Sequence, residues 1–252
     1  MYYSLRRLNK ALYWLLFGSP AQRRRVRQEC ARLAASLFGD FPIGDDYKLW
    51  LEDKEFRQKF KELSPISPYS LERKWTLREF AKYVSPLPGS MAECGCYQGA
   101  SAYFMAKENP GVALHLFDSF EGLSDPQQVD VPIRADNRGW KRGDMSASEE
   151  IARKNLQEFS NIIFHKGWIP EKFHLVQNEQ FKLVHIDVDL YQPTKDSLHF
   201  FYPKMIDNGI IVLDDYGSTI CPGAFKASSE FSKENNLKII HLSTMQGIII
   251  KN

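Results

Sequence analysis

The sequence predicts an α/β fold. A mostly parallel seven-stranded sheet is closed by a C-terminal antiparallel hairpin and preceded by N-terminal helices. Three observations lead there. Seven short apolar runs, at 90–94, 112–117, 161–165, 183–186, 210–213, 237–242 and 246–250, have the length of strands. The first five alternate with loops and helix-length segments, the succession that builds parallel βαβ units. The last two are separated only by Ser243, Thr244 and Met245, too few residues for a parallel crossover, so they pair as a hairpin.

The 252 residues suit one sizeable α/β domain over 71–252 with a helical extension and candidate active-site lid over 1–70. Helices are expected at 2–17 and 20–38, split by Gly18-Ser19-Pro20; in the second, Val26, Cys30, Leu33, Ala34 and Leu37 form a one-sided stripe. Phe56, Phe60 and Leu63 mark a short helix, and Pro65 and Pro68 place a loop over 64–70. Thr76 followed by Glu79 has the spacing of a capping box, and the helix ends before Pro86. After the first strand, Gly95 to Gly99 is a turn and 100–109 a helix stopped by Pro110-Gly111. Residues 119–147 lack periodicity, and an irregular insertion of that length is functional or mobile. Further helices follow at 148–159, from about Thr194, and at 224–235.

Hydrophobic residues make up 43% and charged residues 25%, as in an ordinary folded protein, and a net charge of +2 gives no sign of nucleic-acid binding. The charge is unevenly spread. Residues 1–32 hold eight Arg or Lys against Glu29, a segment of +7 that leaves the rest at −5. The apolar run 11–17 is far shorter than the roughly 20 residues needed to span a bilayer. A basic, aromatic-rich helix of this kind either packs on the main domain or a second subunit, or lies on an anionic membrane, as would suit work on membrane-linked glycans. Cys94 and Cys96 have no second pair nearby, which excludes a zinc pattern; with Cys30 and Cys221 they read as reduced, buried thiols of a cytosolic enzyme.

Chemistry concentrates at strand ends. The run 183–186 is followed by Asp187 and Asp189, and 210–213 by Asp214 and Asp215. In a parallel sheet such ends lie together at the carboxyl edge, where ligands bind. Four acids there repel one another unless a cation holds them, and a hard divalent ion such as Mg²⁺ suits oxygen donors. Helix capping is the alternative for one or two of them. Asp189 would take a proton from a hydroxyl or anchor the following loop. At the first strand end, Glu93, Gly95 and Gly99 flank a turn in which the glycines admit a cofactor to the backbone, and Asp118, 25 residues after Glu93, can accept from ribose hydroxyls. An acidic strand end repels a pyrophosphate but welcomes a sulfonium, which favours S-adenosylmethionine over a nicotinamide dinucleotide. Tyr97 is placed beside the methionine part. Trp168 is placed near the adenine, as a contact or as core. His185, inside an apolar strand, reads as a satisfied core histidine.

The set Glu93-Cys94-Gly95-Cys96-Tyr97-Gln98-Gly99, Asp118-Ser119-Phe120-Glu121-Gly122-Leu123, Lys166-Gly167-Trp168, Ile186-Asp187-Val188-Asp189-Leu190-Tyr191, Tyr202-Pro203-Lys204, Gly209 and Asp214-Asp215-Tyr216 resembles the macrocin O-methyltransferase family over about 75–250. The resemblance implies a class I methyltransferase, Rossmann-like fold. It implies metal-dependent transfer of a methyl group from S-adenosylmethionine to a hydroxyl of a sugar or other polyhydroxy acceptor. It makes Asp187, Asp214 and Asp215 the Mg²⁺ ligands, Asp118 the ribose acid and Ser119 its neighbour at the cofactor. Some members use a histidine in the insertion as base; residues 119–147 contain none, and other members carry an acid at the place of Asp189. The expected catalytic pair is thus Asp187 and Asp189. A catechol-like small diol as acceptor and an inactive scaffold are the alternatives. A cytoplasmic homo-oligomer is expected, membrane-peripheral if the basic helices dock, with a small-molecule or glycan acceptor.

Overall fold

The computed structural model describes residues 5–19, 22–23, 25–27, 30, 49–63, 71–132 and 139–252. The chain divides into two compact units, residues 1–54 and 55–252. In the first, α1 spans Leu5–Phe17 and α2 spans Leu49–Glu52. After α1, Ser19 and Gln22 satisfy each other's backbone N–H groups through their side chains, at 2.8 and 3.3 Å, which starts a new helical turn. Of the helix expected at 20–38, the described residues 22–23, 25–27 and 30 are helical. Cys30 is exposed, unlike the buried thiol expected; Cys94, Cys96 and Cys221 are buried and free. The candidate lid at 64–70 lies outside the described residues.

The second unit opens with the helix α3, Lys54–Leu63, which buries Phe56, Phe60 and Leu63 as the spacing predicts. Helix α4 spans Leu71–Tyr83 and buries Leu77 and Ala81. Thr76 is not its cap. The helix begins five residues earlier, and the Thr76 hydroxyl donates to the Glu72 carbonyl at 2.9 Å, the bond open to a threonine inside a helix.

The strands are β1 Ser90–Cys94, β2 Leu114–Asp118, β3 Ile162–Lys166, β4 Phe181–Ile186, β5 Met205–Leu213, β6 Ile240–His241 and β7 Gly247–Ile250. They form one sheet in the order β3-β2-β1-β4-β5-β7-β6. Strands β1 to β5 run parallel, while β7 is antiparallel to both β5 and β6. Seven strands, mostly parallel, with a terminal hairpin are what the apolar runs predict. Phe117, Phe181 and Phe201 meet edge to face under the sheet, with Phe181 and Phe201 centroids 5.0 Å apart.

Helices α5 (Ala100–Glu108), α6 (Glu149–Asn155), α7 (Tyr191–Phe201) and α8 (Pro222–Glu234) complete the unit. Helix α7 starts at Tyr191, ahead of the expected Thr194, because Asp130 in the insertion accepts from the Tyr191 N–H at 2.7 Å. The chain leaves β1 towards β2 on one side, and β4 enters on the other. The crevice beyond the carboxyl ends of β1 and β4 is therefore the switch point of the sheet.

Candidate functional site

The ladder runs on past those strand ends: Gly95 N donates to Phe117 O, Asp187 N to Cys94 O and Asp214 N to Ile186 O, each at 2.9 Å. The three loops are so close that a Cβ on Gly95, whose φ is +83°, would meet the Asp187 carbonyl and the Val188 side chain. Gly95 is thus required by the approach of two strand ends. Gly99, at φ +86°, precedes α5 and faces Leu156.

A cavity of about 260 Å³ opens there. Its walls include Gly95, Tyr97, Asp118, Ser119, Trp168, Asp187 and Asp189. Gly122, Ser124 and Met145 bring the insertion into the same wall, which hydrogen bonds of 2.8 and 2.9 Å between Leu123 and the Gly143–Asp144 strap hold closed. Asp118 shapes the rim: one oxygen accepts from the Cys96 and Tyr97 N–H groups at 2.9 Å, the other from Phe120 at 2.7 Å. Three donors leave lone-pair room on a carboxylate for a hydroxyl. Ser119 is turned into its own loop, donating to Gly122 O and accepting from Glu121 N. Arg142 lies 5.9 Å from the Trp168 ring centroid. Of the predicted site residues, Glu93, Gly99, Asp214 and Asp215 do not line this cavity.

Glu93 lies inside the sheet instead. It is paired in register with His185, and its Oε1 is 2.8 Å from His185 Nδ1, both side chains fully buried. His185 Nε2 is 3.3 Å from Asp214 Oδ1, which also accepts from Gln246 Nε2 at 2.9 Å. A buried polar string thus crosses β1, β4 and β5 to the start of β7. Burial opposes a charge on His185, but the Asp214 and Glu93 carboxylates outweigh it and lift the imidazole to about 9. The expected core histidine is a hydrogen-bonded link at the base of the site.

Two further cations arrive from α4. Arg73 Nη1 donates to Asp214 Oδ2 at 2.5 Å and to Asp215 Oδ1 at 3.4 Å, and Lys74 Nζ reaches Asp187 Oδ2 at 3.5 Å. Burial alone would raise the Asp214 carboxyl, yet Lys74, His185 and Arg73 together hold it far below the usual carboxylate range. Asp215 is pushed the other way, by burial and by the charges of Asp189 and Asp187. Asp189 is lifted to about 7 for the same reasons, burial first and then Asp187. Its φ is +57°, in the left-handed region, so the peptide turns rather than continuing the pleat. Asp189 does not cap α7: its Oδ1 accepts from the Cys221 thiol at 3.2 Å. In the insertion, the Asp144 carboxylate accepts from the Lys141 N–H at 3.0 Å.

The four acids separate into two adjoining groups. His185, Asp187 and Asp214 bring ligand atoms within 4.8 Å of one another, as do Asp189, Asp215 and Cys221. The residues suit a hard divalent cation. Asp187, Asp214 and Asp215 each offer carboxylate oxygens, but the expected trio is split, Asp187 and Asp214 standing with His185 and Asp215 with Asp189 and Cys221; Asp187 lines the cavity, and the buried Asp215 Oδ2 has no hydrogen-bond partner. Arg73, Lys74 and Gln246 carry no signal in the sequence; an Arg-Lys pair on a helix reads as a solvated face until the fold turns it inward.

The profile of the macrocin-O-methyltransferase (TylF) family matches residues 70–245. The chain is 26% identical over 151 residues to 8-demethyl-8-(2,3-dimethoxy-alpha-L-rhamnosyl)-tetracenomycin-C 4'-O-methyltransferase of Streptomyces olivaceus, which covers 55% of this chain and 57% of that protein. It is 23% identical over 147 residues to mycinamicin III 3''-O-methyltransferase of Micromonospora griseorubida, covering 54% and 58%. The chain thus spans less than three fifths of the length of these curated relatives. Among solved structures, the calicheamicin methyltransferase CalS11 superposes with a TM-score of 0.61 at 18% identity, over 83% of this chain and 98% of that one. The O-methyltransferase NovP gives 0.59 at 20%, over 72% and 80%. The fold is that of class I O-methyltransferases.

Proposed function

The chain belongs to the macrocin-O-methyltransferase family, and from that premise we propose that it transfers a methyl group from S-adenosylmethionine to a hydroxyl of a sugar, with Mg²⁺ as the metal. One observation carries this reading: Asp118, Asp187 and Asp189 face a single cavity at the switch point of the sheet. A ribose acid, a metal-facing carboxylate and a candidate base would thus surround one acceptor position. The rhamnosyl group in the name of the Streptomyces olivaceus relative supports a sugar as acceptor.

Asp118 accepts from the ribose while its backbone bonds keep the glycine turn in shape. Tyr97 and Trp168 flank the cofactor along the wall. Asp189 takes the acceptor's hydroxyl proton as the new C–O bond forms and the S–C bond breaks, leaving a neutral thioether. Mg²⁺ would be held by Asp187, Asp214 and Asp215, where it would lower the pKa of a bound hydroxyl and orient a vicinal pair. Glu93 and His185 fix Asp214 from below, so the carboxylates are oriented before any ligand binds.

The test is a calorimetric titration of S-adenosylmethionine into EDTA-treated protein with and without Mg²⁺, followed by mass spectrometry of rhamnosides and nucleotide sugars incubated with both. Micromolar cofactor binding and a gain of one methyl group that needs the metal are expected. No cofactor binding in either condition would refute the reading.

A further inference from the structure

We infer that α1 docks the protein on an anionic membrane surface, its leucines in the interface and its basic residues on the lipid headgroups. This is independent of the methyl-transfer reading and survives its failure. Leu12, Leu16 and Phe17 are 56%, 61% and 71% exposed, and Tyr13 and Leu15 are exposed beside them. In the sequence Leu5, Leu8, Leu12, Leu15 and Leu16 recur at threes and fours, and in the described part of the helix Leu12, Leu15 and Leu16 share a side away from Lys10. An exposed leucine stripe on a helix of a strongly basic segment is the pattern of a helix lying in the plane of a bilayer interface.

Three further observations favour a lipid surface. The helix is 13 residues, about 20 Å long by its rise, short of a hydrocarbon core of roughly 30 Å. Among the described residues no helix is long and apolar enough to cross a membrane, so α1 would lie on the surface. Lys10 Nζ sits 4.7 Å from the Trp14 ring centroid, a cation and an indole at one level, as at a headgroup boundary. Exposed Arg23, Arg25 and Arg27 follow directly, and residues 1–32 hold only Glu29 against eight cations. That charge is complementary to acidic lipids. A second copy is the competing occupant, but pairing α1 with itself would bring two +7 segments together.

The test uses the full chain and sedimentation with vesicles of phosphatidylcholine alone or mixed with phosphatidylglycerol. Binding is expected only to the mixed vesicles, with at least a tenfold loss in about 0.5 M salt, where the Debye length falls to a few Å. Leu12→Glu with Leu16→Glu should also cost at least tenfold, as should reversing Arg23, Arg25 and Arg27 to Glu. Circular dichroism and thermal melts check that each variant stays folded. Failure of the unaltered protein to sediment, or equal binding by the leucine variant, overturns the inference. So does a dimer by light scattering that the leucine variant converts to a monomer, which would assign the surface to a second copy.

Discussion

Arg73 Nη1 lies 2.5 Å from Asp214 Oδ2 and 3.4 Å from Asp215 Oδ1, so one guanidinium bridges two of the three carboxylates assigned to the metal. A divalent ion drawn to those oxygens must share them with Arg73 or displace it. Arg73→Ala is therefore expected to tighten Mg²⁺ binding about tenfold, ~1.4 kcal/mol. It should also lower the melting temperature, since stripping the partner from buried carboxylates costs about 3 kcal/mol. Metal titration by calorimetry, with a thermal melt of the same sample, checks both. Unchanged or weaker Mg²⁺ affinity would mean that the arginine and the metal do not compete.

Asp118 is the proposed ribose acceptor and also the anchor of the glycine turn. Its carboxylate accepts from three backbone N–H groups and has lone-pair room for one more donor. Asp118→Asn keeps the size but loses the charge, and its NH2 must face at least one of the backbone N–H groups that the carboxylate accepts. Cofactor affinity should fall tenfold to a hundredfold, in line with about 1.5–3 kcal/mol for hydrogen bonds to a charged group. Mg²⁺ affinity should stay within about twofold, a factor worth less than ~0.5 kcal/mol. Parallel titrations with S-adenosylhomocysteine and Mg²⁺ would show it, and equal losses in both would point to collapse of the turn.

The strands and the acids at their ends are legible in the sequence because both are local. Apolar runs of strand length end in Asp187, Asp214 or Asp118, and the topology follows from the lengths between them. What neutralises the acids is not local. Arg73 meets Asp214 across 141 residues, and His185 meets Glu93 across 92. Only the sheet order brings these together, so His185 reads as ordinary core and Arg73 as surface. The Thr76–Glu79 spacing shows the converse: a correct local pattern is overridden when the helix has already begun at Leu71. A charged side chain inside an apolar strand, as with Glu93 and His185, is the one signal that could have revealed the buried string.

Asp189 lines the cavity and has a left-handed backbone, a conformation that costs a non-glycine residue on the order of 1 kcal/mol or more. Such a position is kept where the side chain must point a particular way. Asp189→Asn, nearly isosteric, should lower kcat about a hundredfold or more, with KM for the acceptor changed little. Steady-state kinetics decide it. Near-full turnover would remove Asp189 as the base, and a change confined to KM would make it an acceptor-binding group.

Away from the site, His115 on β2 and His165 on β3 stack with ring centroids 5.2 Å apart, and His115 Nδ1 is 3.0 Å from His165 Nε2. Burial lowers both, and the His115 charge adds to the effect on His165, which falls to about 4. Glu179 opposes the shift at His115. A histidine depressed in the fold binds fewer protons there than in the unfolded chain. It therefore adds stability that is present above the unfolded value of about 6.5 and is lost as pH falls through about 4. Cooling of the melting temperature from pH 7 to pH 5 should be flattened in His165→Phe, whose ring can stack on Phe117 as His165 does at 4.5 Å. The difference expected is about 2–4 °C, the equivalent of about 1 kcal/mol in a domain of this size, discounted because His165 is partly open to solvent. Melts across that pH range in both proteins would show it, and parallel curves would mean that the pair is not the group that titrates.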